Sequence, residues 1–554
     1  MKRLITTILT ILDSKEKLKA ALLICLDFII SVLDIAFLGL LLLIINFYTK
    51  NSAVSISIFH FEPAKNSLLL IGVFFVVFSF KNWIGYLITK AQNTFFYGIA
   101  SRLSRQNIWR YLRDDYIKFT HVDSSIHIRK ISQQPIEFSN YILTNLQQII
   151  AQGMLILLTI IAILFYHPSL FILLFMLLSP PVIVLAYFIK RKLKHIRAQA
   201  KTTYVKTIQH LQEALSGFIE SNIYHKNSFF VDRYYSYQQQ LNNSIATQQS
   251  LQGLSSRLIE IFAVLGFLIL IAINKLSTHA PAIDLLSIGV FMGASYKIIP
   301  GIVKILNSIS QIKTYEFVLD DLLPDDRKEV LSTELPPNIN DIKFDNVEFK
   351  YNNRPVLNNF GFEIALSDFA GVSGKSGQGK TTLVNLLLGF LKQSKGTISL
   401  NHTATTADER KQHWPHIAYV KQQSFFINDS VLKNITLTDD EYNVDKLAEV
   451  IAFCGIDALL AQYPEGINKM ITENGKNISG GQRQRIMLAR ALYADFDLLI
   501  LDEPFSEMDE TAEKEMLVQL QALAKKGKMI LLITHSSNSL TYCNKIISLD
   551  GNAA

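Results

Sequence analysis

ISGGQRQRIMLARAL, residues 478–492, joins a serine, two glycines and a glutamine to a basic, leucine-rich run, and it takes its meaning from what flanks it. Upstream stands GKSGQGKT, residues 374–381, in which a glycine, four residues, a glycine, a lysine and a threonine follow in order. A short apolar run at 369–372 reads as a strand before it, and 382–391 reads as a helix after it. Glycines in such a turn let successive backbone N–H groups face inward around a polyphosphate, while the following helix aims its positive end at the same anion. This spacing places Lys380 on the β and γ phosphates and the Thr381 hydroxyl on Mg²⁺. Downstream, DLLILDEPFSEMD occupies 497–509. Its four apolar residues, 498–501, read as a buried parallel strand whose end delivers Asp502 and Glu503 to the phosphate site, where ligands gather in open α/β sheets. There Asp502 is placed to hold Mg²⁺ and Glu503 to accept a proton from an attacking water.

With these three stretches in this order, the chain resembles an ATP-binding cassette exporter, a helical membrane domain fused to an α/β P-loop ATPase cassette. The resemblance runs in family order across 341–549. It implies that Ser479, Gly480, Gly481 and Gln482 close over a nucleotide held by a second cassette. It also places Tyr351, ending VEFKY, against the adenine, and Gln422, in AYVKQQSFF, beside Mg²⁺ and the attacking water. Asp509 closes the loop after the acidic strand end, and His535, in LLITHSS, meets the γ phosphate. Gly374, Gly377, Gly379 and Thr382 complete the nucleotide-binding set. Glu503 and His535 together imply hydrolysis, not binding alone. Three departures stand out. The acidic loop reads SEMD where the family has SALD, so Glu507 and Met508 are unusual; the segment before ISGGQ reads ITENGKN; and the chain ends soon after KIISLD.

Residue content points to a membrane protein, with 49% hydrophobic and only 18% charged residues. The formal charge of +7 does not mark a nucleic-acid binder, because the basic residues cluster beside apolar spans. Three scattered cysteines exclude a disulfide framework. The first twenty residues carry no cleavage site and read as a helix on the cytoplasmic membrane surface.

Six stretches are long and apolar enough to cross a bilayer: 20–48, 68–88, 149–165, 170–189, 258–273 and 285–305. Arginines and lysines crowd the connections after the second and fourth, which puts those connections and both termini in the cytoplasm of a cell whose inner membrane holds the protein. The resulting division is a membrane domain at 1–320, a proline-rich acidic linker at 321–340 and a cassette at 341–554. Segments 116–132 and 223–235 fall where the family has its two cytoplasmic coupling helices. One copy of each motif implies pairing with a second half-transporter, and intact motifs permit a homodimer. No cysteine-protease segment precedes the first span, so processing of a leader peptide by this chain is not expected.

Charges within spans are costly, about 3 kcal/mol each by insertion scales, and face a bundle interior or cavity. Asp27 and Asp34 lie seven apart in the first span and Lys297 and Lys304 seven apart in the sixth, so each pair shares a helix face. One reading makes them an ion-pair network. The other makes KIIPGIVK, 297–304, a cationic site for an anionic substrate, resembling the arginine, proline, arginine spacing of flippases of lipid-linked oligosaccharides. A peptide exporter, or an ATP-gated channel or regulator, remains the alternative.

Overall fold

The computed structural model describes residues 2–49, 68–113, 122–166, 202–276, 285–322, 336–351, 354–375 and 377–549, with isolated positions at 116 and between 172 and 191. Two compact units divide the chain: 1–114 with 120–327, and 115–119 with 328–554.

The first unit is helical. Helix α1 (Lys2–Ile11) precedes α2 (Ser14–Thr49), α3 (Leu69–Arg113), α4 (Thr144–Tyr166), α5 (Asn227–Leu276) and α6 (Leu285–Tyr315). Among the described residues three continuous helical stretches, Ser14–Ile45, Leu69–Arg113 and Ser124–Phe165, are long and apolar enough to cross a bilayer. Helices α5 and α6 run unbroken over the fifth and sixth apolar stretches, and most of the fourth lies outside the described residues. Pro300 sits inside α6, where it removes one backbone donor. The next residue, Gly301, faces α4, and a Cβ there would press on Ile156 Cδ1 at 3.0 Å.

The amphipathic start behaves differently from a purely surface helix. Leu4, Ile8 and Ile11 of α1 are buried in a cluster with Phe95, Ile99, Phe138 and Ile142, so much of its apolar stripe is spent on protein. Only Ile5 and Leu9 remain exposed on it. Two π-helical turns, Arg129–Gln133 and Phe138–Leu143, interrupt the approach to α4 on either side of Pro135.

The second unit contains two larger sheets. The antiparallel one has order β2-β1-β4-β5, from β1 (Asp341–Tyr351), β2 (Arg354–Ala365), β4 (Lys395–Leu400) and β5 (Thr403–Ala404). The parallel one has order β11-β3-β10-β9-β6, from β3 (Phe369–Ser373), β6 (Ile417–Val420), β9 (Leu498–Asp502), β10 (Met529–Ile533) and β11 (Lys545–Ser548). A short pair, β7 (Asp429–Ser430) and β8 (Met470–Ile471), stands apart. LLILD and MILLI are buried at every position, the continuous apolar pattern of strands covered on both faces. One core packs the antiparallel sheet and helix α7 (Lys380–Leu387) on one face of the parallel sheet. A second core packs α8 (Gly480–Tyr493) and α9 (Glu510–Lys525) on the other.

Helix α7 begins two residues earlier and ends four earlier than the 382–391 run suggested. Gly389 takes φ +74°, the left-handed backbone that closes a helix without a Cβ penalty, and its N–H donates to Leu386 O at 3.1 Å.

Candidate nucleotide-binding and hydrolysis site

Parallel register decides what meets at the site. Val372 of β3 lies beside Ile533 of β10, which lies beside Asp502 of β9, whose neighbour Leu501 faces Val420 of β6. These strands therefore release the chain at one level, and the residues just beyond converge: Gly374, Glu503, His535 and Gln422.

The phosphate loop follows β3. Gly377 and Gly379 have φ of +83° and +97°, a backbone open to glycine and strained for other residues. A Cβ on Gly379 would also lie 2.8 Å from Val356 Cγ1. The Lys375 N–H donates to the Gln378 side-chain oxygen across the loop. Gly379 caps α7, whose first residues are Lys380, Thr381 and Thr382; Thr382 is buried and Thr381 exposed. A glycine turn that leads straight into a helix N-terminus is the geometry that suits a polyphosphate.

Lys380 is almost fully buried at the centre of the convergence. Its ammonium donates to Gly374 O at 3.1 Å and lies 2.6 Å from His535 Nε2 and 3.8 Å from Glu503 Oε1. Burial holds its pKa below the usual lysine value, opposed by Glu503 and Asp502. Glu503 itself has φ +50°, and its N–H donates to Ile533 O at 2.9 Å. A non-glycine residue held in the left-handed region is a strained element fixed by its surroundings. Glu503 Oε2 accepts from Gln422 Nε2 at 2.9 Å while Oε1 lies 3.0 Å from His535 Nε2.

Asp502 stays on the strand, buried, with Tyr419 OH donating to its Oδ2 at 3.4 Å. Burial, and then the neighbouring Glu503 charge, raise its pKa. The described residues contain no cluster of three or more His, Cys, Asp and Glu side chains able to hold a metal alone. A divalent ion here would take Thr381, Gln422 and Asp502 together with phosphate oxygens, the way Mg²⁺ is usually held.

The remaining motif residues occupy helix and strand ends. Tyr351 ends β1 half-exposed, its ring edge-on to Phe349 at 4.8 Å. Ser479 caps α8 in a reciprocal box: its Oγ accepts from Gln482 N at 3.3 Å, and Gln482 Oε1 accepts from Ser479 N at 2.9 Å. Gly480 and Gly481 open the helix. Asp509 caps α9, accepting from Ala512 N at 2.8 Å. Of the segment 116–132, Tyr116 belongs to the second unit, its ring 4.9 Å from that of Phe390, and 117–121 lie outside the described residues.

Residues 357–506 match the family model described as ABC transporter. The chain carries an ABC ATPase cassette. The fold of the whole chain agrees with this: it matches a bacterial Atm1-family ABC exporter with ATP bound at a TM-score of 0.77 and 17% identity, covering 97% of this chain and 93% of that one. The architecture is thus that of an ABC exporter, a helical membrane domain and an ATPase cassette on one chain. A putative export ATP-binding/permease protein of Rickettsia felis is 36% identical over 212 residues, 38% of this chain and 37% of its own length. The chain therefore aligns with well under half of that relative. An ATP-dependent lipid A-core flippase of Cupriavidus pinatubonensis is 26% identical over 421 residues, 74% of this chain and 71% of that one. A lactococcin-G-processing and transport ATP-binding protein of Lactococcus lactis is 36% identical over 213 residues, 38% and 30% of the two chains.

In the first unit two of the four predicted charges, Asp34 and Lys297, meet, while Asp27 and Lys304 go separate ways. Asp34 of α2 pairs with Lys81 of α3 and lies 3.5 Å from Lys297 of α6, so one carboxylate ties three helices. Asp27 accepts from Gln92 Nε2 at 2.8 Å and Gln147 Nε2 at 2.7 Å. Lys304 is exposed and, among the described residues, makes no ion pair. Lys81 and Tyr419 escaped the sequence reading: Lys81 belongs to no motif, Tyr419 sits in the AYVKQQSFF stretch without a role of its own there, and each is known by its partner.

Proposed function

We propose that this chain is one half of a homodimeric exporter of the inner membrane, with cassette and both termini cytoplasmic. It would use ATP to move or flip an amphipathic, anionic substrate such as a lipid-linked glycan. The observation that carries the ATPase part is the meeting of Lys380, Glu503, His535 and Gln422 at the ends of four parallel strands. Lys380 and the loop N–H groups bind the β and γ phosphates, and Tyr351 stacks on the adenine. Glu503, aimed by Gln422 and His535, accepts the proton of the attacking water. Mg²⁺ on Thr381, Asp502 and Gln422 would neutralise phosphate charge. Ser479 to Gln482 of one cassette approach the nucleotide of the other, with Asp509 at the same junction, so that closure of the pair drives the helical units between inward and outward forms.

The anionic substrate rests on charge. Lys81, Asp34 and Lys297 sum to one positive charge, and exposed Lys304 lies two turns along α6 on the face of Lys297. The flippase relative aligns across most of this chain, whereas the lactococcin-G-processing and transport protein aligns over less than two fifths of it. A peptide substrate is the second reading. Reconstituted vesicles bearing a fluorescent polyprenyl-diphosphate sugar test the first: ATP-dependent movement of the label between leaflets, reduced by Lys297→Ala and Lys304→Ala, supports it. Label that stays put while a peptide is carried overturns it.

A further inference from the structure

The loop after β9 reads SEMD, and the glutamate in it does not point idly to solvent. Its backbone is pinned to α8, since Glu507 N–H donates to Gln484 Oε1 at 3.0 Å and Gln484 Nε2 donates to Ser506 Oγ at 2.8 Å. Its carboxylate lies at the first turn of α8, where Arg483 Nη2 donates to Oε2 at 2.7 Å. A Cβ built on Gly480 would overlap that carboxylate, and one on Gly481 would meet Glu507 O at 3.2 Å. Glu507 therefore rests directly on the two glycines of the ISGGQ turn. The Ser479–Gln482 box already satisfies the N–H groups of Ser479 and Gln482. Those of Gly480 and Gly481 head a fourteen-residue helix, the positive end that attracts an anion. A carboxylate of the same chain sits at that end.

The geometry points to Glu507 as an internal competitor for the phosphate that the Ser479–Gln482 turn receives, and so as a determinant of ATP affinity. The inference rests on the reading that this turn faces the partner cassette's nucleotide. A triphosphate arriving there meets a like charge and must displace or outweigh it, while Arg483 holds the carboxylate and partly neutralises it. Removing the carboxylate then favours ATP. Removing Arg483 strips the carboxylate of its counter-charge and disfavours ATP. A purely structural ion pair behaves otherwise, because losing either partner abolishes the same bond and moves both variants the same way.

The test is steady-state ATPase kinetics of the full-length protein in lipid nanodiscs, for wild type, Glu507→Gln, Arg483→Ala and the double variant. Glu507→Gln, which keeps the shape, lowers the KM for ATP about two- to fivefold, the size of a charge effect at a half-exposed helix end, with kcat within about twofold. Arg483→Ala raises KM, and the double variant falls below Arg483→Ala. High salt shrinks all three differences. Unchanged KM in Glu507→Gln, or single variants moving in the same direction, overturns the inference while leaving the exporter reading intact. Absence of ATPase in the wild type removes both.

Discussion

Replacing Glu503 by Gln preserves the length of the side chain and removes its charge. In the structure one carboxylate oxygen accepts from Gln422 at 2.9 Å, and the other lies 3.0 Å from His535 Nε2 and 3.8 Å from Lys380 Nζ. The amide keeps an acceptor for one of these contacts and loses the capacity to take a proton. Positioned proton transfer contributes about 10²–10⁴-fold to a rate, which corresponds to about 3–5 kcal/mol of barrier. ATP hydrolysis by Glu503→Gln is therefore expected to fall at least about a hundredfold. Binding should survive, because Lys380 loses one of the two carboxylates that compete with phosphate for it. Phosphate release from protein in nanodiscs, measured beside equilibrium binding of a fluorescent ATP analogue, separates the two. Hydrolysis at the wild-type rate would place the proton acceptor elsewhere. Joint loss of binding and hydrolysis would make Glu503 a structural residue of its strained turn.

Gly379→Ala forces a side chain into φ +97° and against Val356, so nucleotide binding should disappear in the same binding assay. Ile500→Ala removes a fully buried side chain from β9, an interior strand of the parallel sheet, and should destabilise the cassette by about 2–5 kcal/mol in denaturant unfolding. Asp502 has its pKa raised by burial and by Glu503, so its ionised form is disfavoured by the fold. The unfolded chain then loses that proton first, and stability is lost as pH rises above the ordinary aspartate value. Thermal unfolding without Mg²⁺ should accordingly show Asp502→Asn gaining on wild type from pH 4 towards pH 7. A constant difference across that range would refute the cause assigned.

The cassette was legible because its signals are local. A glycine pair that demands positive φ, an apolar strand ending in two carboxylates, and a serine–glutamine box opening a helix each lie within a dozen residues of sequence. Parallel register does the rest, since once the strands align their ends must meet. What stayed hidden depends on contacts between distant positions. Lys81 reads as one cation in an apolar span until Asp34, 47 residues earlier, is found against it. The amphipathic face of α1 looks the same whether lipid or protein covers it, and only the fold assigns Leu4 and Ile8 to a protein core. Glu507 showed as a departure from a pattern, but its seat on Gly480 requires the loop and helix to be placed together.

Native mass spectrometry of the Glu503→Gln protein, taken gently from its own membranes in the presence of Mg²⁺ and ATP, tests the account most directly. The prediction is a particle of two 62.8 kDa chains holding two ATP molecules, with a series of adducts spaced by sugar units on a polyprenyl diphosphate. A single chain without nucleotide would contradict the paired-cassette mechanism, and a dimer carrying a peptide would contradict the anionic lipid substrate.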